Sequence, residues 1–247
     1  MASVFYTNDC SGECNLLTFY ERFQSIDPLL IKKYSYQGLE VFALIKSLNL
    51  TVRMLESLCN NGNTEVQNST YKLIVDSNQM LAIGYSHIVL GFPLILSIYP
   101  NVELVIRNGG KLVIFNDNSL INYGNIYLDN SAIILESNNI ARLINNGCIT
   151  LKSSFLVGKG IIFNNGKLNA ICYSKISLGK NKANGENGED DDVVKMGENG
   201  ESDRENGNIQ KALTTLDFTE NYSRLINAGY FELKSYSSID IDGSLVN

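Results

Sequence analysis

"LINNGCITL", residues 143–151, sets an Asn-Gly turn signal inside an otherwise apolar run. The pattern returns as "LINYGNIYL" at 120–128, "IIFNNGKLNAI" at 161–171 and "LINAGYFEL" at 225–233, with a looser relative, "VIRNGGKLVI", at 105–114. Gly124, Gly147, Gly166 and Gly229 fill one slot of the repeat, and Asn122, Asn145, Asn164 and Asn227 precede them by two positions. The glycines are spaced by 23, 19 and 63 residues, the last interval equal to three turns of about 21. Two architectures use such turns. An Asn-Gly pair between alternating strands is a strong hairpin signal, which leads to an antiparallel sandwich or jelly roll. A hairpin, however, does not require its flanks to be copied at a fixed interval. A solenoid does, because equivalent positions of successive rungs stack in one row, Leu on Leu and Asn on Asn. The expectation is therefore a mainly β chain, a parallel β-helix or solenoid, with the antiparallel sandwich as the alternative. The turn glycines are expected at rung corners with positive φ.

The "LINNG-x-I-x-L" rungs resemble right-handed parallel β-helix proteins of the pectin-lyase-like shape. With the abundance of Asn and Ile they also resemble Asn-rich solenoid proteins of giant DNA viruses and low-GC microbes. The resemblance covers about residues 71–178 and 211–247 and leaves the N-terminal part unmatched. It implies a solenoid with a structural role. The polysaccharide lyases of that shape use clustered Asp with a Lys or Arg base, and no such cluster is recognisable here, so no catalytic residue is carried over.

Outward from the repeats, the chain divides into a segment 1–70 read as a helical cap and a segment 71–247 read as the solenoid. Asp27 and Pro28 in "SIDPLLIKKY" look like an N-cap and first helical position. "GLEVFALIKSL" places Leu39, Phe42, Ile45 and Leu48 at helical spacing, and "TVRMLESLCNNG" ends on Asn and Gly. From Tyr71 the runs become short and β-branched. Residues 179–210 form an acidic low-complexity insertion, "ANGENGEDDD" among it, which is read as a loop projecting from one rung.

Composition narrows the function. The net charge of −6 is concentrated in that insertion, which carries −5, so the body is nearly neutral. A body without basic excess is a poor match for nucleic acid, whose affinity comes from phosphate neutralisation. The longest apolar stretch, "IVLGFPLILSIYP" at 88–100, is too short and too broken by Gly91, Pro93 and Pro100 to span a membrane. "MASVFYTNDCSGEC" lacks the basic start and apolar core of a signal peptide. Five cysteines, Cys10, Cys14, Cys59, Cys148 and Cys172, are an odd set and are read as reduced thiols.

The chemistry-bearing residues are few. His87 stands alone in "GYSHIVLG", with no Ser nucleophile elbow, and reads as a buried strand histidine. Asp240 and Asp242 in "IDIDG" share a strand face about 7 Å apart. Cys10 and Cys14 lack a second close pair for zinc. No catalytic, cofactor or metal residue is assigned. The reading is a non-enzymatic structural or assembly protein of a virion or of its intracellular assembly site. Its partners are further copies or other structural proteins of the same particle, met through an edge at Tyr236, Ile239, Asp240, Ile241 and Asp242, where the strand pattern runs to residue 247 without a helical cap. The alternative is a β-helix that binds or cleaves polysaccharide, which requires a row of exposed Asp, Lys, Arg or aromatic residues along stacked rungs.

Overall fold

The structure is a computed structural model that describes residues 12–36, 38–59, 70–84, 92–136, 140–179, 223–241 and 244–246. His87, Asp242 and the insertion beyond Gly179 lie outside the described residues. The described chain opens with β1 (Glu13–Asn15), α1 (Leu16–Gln24), β2 (Ile31–Tyr36), β3 (Leu39–Leu44), β4 (Leu48–Leu50) and α2 (Val52–Cys59). Six trios of strands follow. They are β5–β7 (Tyr71–Val75, Gln79–Ile83, Ile95–Ile98), β8–β10 (Val102–Arg107, Lys111–Phe115, Ser119–Asn122) and β11–β13 (Asn125–Asp129, Ala132–Glu136, Ala141–Asn145). Then come β14–β16 (Cys148–Lys152, Phe155–Gly158, Gly160–Asn164), β17–β19 (Lys167–Ile171, Lys175–Leu178, Arg224–Asn227) and β20–β22 (Tyr230–Leu233, Ser238–Ile241, Ser244–Val246).

Each trio gives one strand to each of three sheets. The first sheet runs β1-β5-β8-β11-β14-β17-β20, the second β2-β3-β6-β9-β12-β15-β18-β21, and the third β22-β19-β16-β13-β10-β7-β4. The described pairings are parallel except β2 with β3. The chain is thus mainly β with mostly parallel strands, an arrangement compatible with a β-solenoid. It is not the antiparallel sandwich. Parallel neighbours cannot be joined by a two-residue hairpin, so each Asn-Gly turn leads to another sheet instead of folding back.

Alternation along each strand sends one set of side chains into a shared core. Leu104, Ile106, Ile126, Leu128, Ile149 and Leu151 enter from the first sheet, and Leu112, Ile133, Leu156 and Ile176 from the second. Leu96, Leu120, Leu143, Ile162 and Leu225 enter from the third. The register stacks like on like: Leu120 pairs with Leu143, and Ile126 with Ile149. The helices add Leu16, Phe19, Phe23, Leu55 and Leu58 to the same cluster.

Polar residues inside are used in rows. Asn122, Asn145 and Asn164 are fully buried, and each Nδ2 donates to the next Asn Oδ1 at 2.8, 2.7 and 2.7 Å, ending on Asn227. Each also donates to a backbone carbonyl: Cys148, Lys167 and Tyr230 respectively. The row starts at Asn122 because its partner in the preceding trio is Ile98, and the Asn122 Oδ1 accepts no hydrogen bond among the described residues. A second row, not foreseen from the sequence, places Ser154, Ser174 and Ser237 Oγ as acceptors of the Ser131, Ser154 and Ser174 N–H groups, each at 3.1 Å.

Four expectations are corrected. Ile31–Tyr36, Leu39–Leu44 and Leu48–Leu50 are strands, not helix. The apolar residues of β3 lie on both faces, Phe42 and Leu44 inward, Val41 and Ala43 outward, all buried. A strand apolar on both faces imitates helical spacing. Asp27 does accept the Leu29 N–H at 3.0 Å, but this closes a single turn before β2.

The interval from Gly166 to Gly229 is one trio, not three turns, since Asn164 and Asn227 are register partners and bond directly. The insertion lies between β18 and β19 of that trio.

The repeat glycines do not have positive φ. That conformation falls on Gly38, Gly84, Gly109, Gly158 and Gly179, and on Asn78, Asn108 and Asn130. A Cβ at Gly147 would instead collide with the Gly124 carbonyl oxygen, one at Gly166 with that of Gly147, and one at Gly229 with that of Gly166. The slot needs glycine for close approach of stacked backbones.

Cys14 and Cys59 are disulfide-bonded, with Cα atoms 5.5 Å apart, while Cys148 and Cys172 are free. Their 45-residue separation hides the pairing in the sequence. It is created when β1 joins β5 and α2 packs against both.

Candidate functional site

The outward positions of the first sheet carry charged residues in rows. Their order follows from strand alternation and parallel register. In one row Glu13 pairs with Lys72, and Lys72 with Glu103. Lys72 Nζ lies 3.8 Å from both Glu13 Oε1 and Glu103 Oε2. The middle row is Ile74, Val105 and Tyr127, two residues further along each strand. The third row holds Asp76, then Arg107, Asp129 and Lys152 in register.

That third row is tightly paired. Arg107 meets Asp76 Oδ2 at 2.9 Å through Nε and at 2.8 Å through Nη2, and Lys152 meets Asp129 Oδ2 at 3.0 Å. Burial opposes ionisation of Asp76, but hydrogen bonds from Asn108, the Ser77 N–H and Arg107 outweigh it and hold its carboxyl below the usual range. The hydrogen bond to Asp129, with smaller contributions from the charges of Tyr127 and Asp129, raises Lys152 above the usual lysine range. Both shifts favour the charged forms, as in a structural ion-pair ladder.

Between the two charged rows runs a groove of about 350 Å³, floored by Ile74, Val105 and Tyr127. Its rails are Glu13, Lys72 and Glu103 on one side, and Arg107, Asn108 and Asp129 on the other. Further along the same face, Lys167 lies 5.5 Å over the Tyr230 ring.

No family model matches the chain. No curated protein and no solved structure matches it either. The site is therefore interpreted from its own geometry.

The residues expected at an assembly edge are placed as follows. Tyr236 is 84% exposed and stacks on Tyr173, with ring centroids 5.2 Å apart and planes 10° from parallel. Ile239 and Ile241 are half-buried against the core. Asp240 is exposed, 3.8 Å from Lys175 Nζ. Asp242, the other member of the expected acidic pair, lies outside the described residues. The turn residues Asn122, Asn145, Asn164 and Asn227 come together as one ladder, and the turn glycines stack behind them. Among the described residues no group of three His, Cys, Asp or Glu is placed to hold a metal ion. No described helix is long and apolar enough to cross a membrane.

The groove residues were missed in the sequence. Their signal is the polar half of the alternation in "VELVIR" and "NIYLD". Aligning those strands by their inward Leu and Ile places Arg107 over Asp129, and "CITLK" then adds Lys152.

Proposed function

We propose that the chain is a non-enzymatic structural protein. It is a parallel β-helix closed at one end by α1 and α2, and it assembles with further copies or with other structural proteins of a particle through β20, β21 and β22. The repeat's resemblance to Asn-rich viral solenoids makes a virion, or the intracellular site where one is built, the setting of this reading.

One observation carries it. Inward residues of the fifth trio are fully buried, whereas their register partners in the sixth are half-buried or exposed. Leu168 pairs with Phe231, Ala170 with Leu233, Ile176 with Ile239 and Leu178 with Ile241. The first of each pair is 0% exposed, and the second is only partly covered. Leu225 is 0% exposed and its partner Leu245 is 59% exposed. A sheet edge that combines apolar side chains with unpaired backbone groups gains by meeting another edge.

Sedimentation of the purified chain tests the reading. The expected result is a concentration-dependent oligomer that Leu245→Lys or Ile239→Lys dissociates. A monodisperse monomer at every concentration, alone and with co-expressed neighbours, overturns it.

A further inference from the structure

We propose that the outward face of the third sheet is a docking site for an acidic peptide segment of another protein. The site is separate from the assembly edge and independent of that reading.

The argument begins with charge. The seven strands of this sheet, β4, β7, β10, β13, β16, β19 and β22, contain no Asp or Glu, and their only charged residues are Arg142 and Arg224. The first sheet, by contrast, answers Arg107 with Asp76 and Lys152 with Asp129. Arg142 and Arg224 stand in one register row on either side of Ile161. Two strand spacings, about 10 Å, separate them. Arg142 is half-buried and Arg224 is exposed. Among the described residues neither guanidinium has an ion-pair partner.

Beside the arginines runs an apolar strip. Ile121, Ile144, Phe163 and Ile226 follow one another in register, two positions further along the same strands. All four are half-buried, whereas their inward neighbours Leu120, Leu143, Ile162 and Leu225 are fully buried. Four strands at about 4.8 Å make the strip roughly 14 Å long. Protein interfaces are enriched in Arg and aromatic residues and depleted of Lys, Glu and Asp, which is the make-up of this face.

The arginines select the partner. A second copy meeting the face with its own equivalent face sets Arg against Arg with no carboxylate to answer either. Nucleic acid draws its affinity from many neutralised phosphates, and an anionic membrane from clusters of about four to eight basic residues. Two arginines serve neither well. An acidic peptide needs only two carboxylates, each gripped bidentately by one guanidinium, with its aliphatic side chains laid on the strip.

Calorimetric titration of the full chain tests this with an octapeptide of alternating Glu and Leu, and with Gln/Leu and Lys/Leu octapeptides as comparators. The expected result is binding of the Glu/Leu peptide, at least about tenfold weaker binding of the Gln/Leu peptide, and none of the Lys/Leu peptide. The affinity for the Glu/Leu peptide is expected to fall as ionic strength rises. Arg142→Gln and Arg224→Gln are each expected to weaken it about fivefold, and Arg142→Lys less, since it keeps the charge without the fork. Phe163→Ser is expected to weaken the Glu/Leu and Gln/Leu peptides alike, because it removes apolar contact and no charge. These side chains point away from the core, and unchanged circular dichroism spectra check that each variant folds. Leu245→Lys, at the assembly edge, is expected to leave peptide binding unchanged. Equal affinity for the Glu/Leu and Gln/Leu peptides, an affinity indifferent to both arginine variants, or tighter binding of a duplex oligonucleotide or of phosphatidylserine vesicles overturns the proposal. So does a change in the sedimentation of the chain alone on Arg142→Glu or Arg224→Glu, which would make the face a contact between copies.

Discussion

Asn145 Nδ2 donates to Asn164 Oδ1 across 2.7 Å, and both side chains are out of contact with solvent. Asn145 also accepts from Asn122 and donates to the Lys167 carbonyl. Asn145→Leu therefore removes three hydrogen bonds and strands groups that water cannot reach. A buried orphan costs about 1–3 kcal/mol, so this variant is expected to lose several kcal/mol in urea unfolding. Asn165, whose Nδ2 bonds Asn146 Oδ1 on the exposed side of the same turn, is the control. Asn165→Ala is expected to stay within about 0.5 kcal/mol of the parent.

The Cys14–Cys59 bond closes a 45-residue loop around β2, β3 and β4. Chain-entropy reasoning gives such a cross-link about 2–4 kcal/mol. Reduction, or the double variant Cys14→Ser with Cys59→Ser, is expected to lower the unfolding temperature. Amide exchange is expected to rise first in β1 and α2. Equal unfolding temperatures with and without reductant would show that the bond contributes nothing.

Asp76 provides a pH test. Its carboxyl lies below the ordinary value of 3.8 in the folded chain, so the folded state binds its proton more weakly than the unfolded state does. The resulting stabilisation is present above that value and is lost as pH falls through the lower folded value. A carboxyl-carbon NMR titration is expected to give a midpoint below 3.8 for Asp76 and a higher one after Arg107→Gln. The pair is partly exposed, so its contribution to stability is small and declines with salt.

The solenoid-like order of the sheets was legible because it is written in repeated residues. A Leu or Ile row and an Asn row have to recur when equivalent positions stack, and "LINNG" states both. The β2–β3 pair was illegible for the opposite reason. It is antiparallel and stands outside the repeat, so only helical spacing was left to read, and burial of Val41 and Ala43 on its outer face completed the imitation. The groove stayed hidden because it is built across strands. Lys72 and Glu103 are 31 positions apart, and nothing local marks them as neighbours until the register is known. The insertion obscured the count of turns by stretching one trio to the length of three.

Gly147 and Gly109 separate two reasons for having glycine at a turn. Gly109 has φ +86° with open space where a Cβ would go, so its need is conformational. Asn occupies the same left-handed region at Asn108 and Asn130. Gly109→Ala is thus expected to cost about 1–2 kcal/mol, and Gly109→Asn less, because Asn tolerates that region better. Gly147 has no such φ. A Cβ there meets the Gly124 carbonyl, a backbone atom that cannot rotate away, and Gly124 N and the Tyr123 backbone lie close behind. Moving that carbonyl disturbs its hydrogen bond from the Cys148 N–H at 2.9 Å, and the neighbouring Asn122–Asn145 step has to follow. Gly147→Ala is therefore expected to cost more than Gly109→Ala, above about 2 kcal/mol, with no relief from Asn. Urea unfolding midpoints of the four variants decide it. If Asn restores Gly147 as well as it restores Gly109, the requirement at Gly147 is conformational and the close stacking of turn backbones is not what selects glycine.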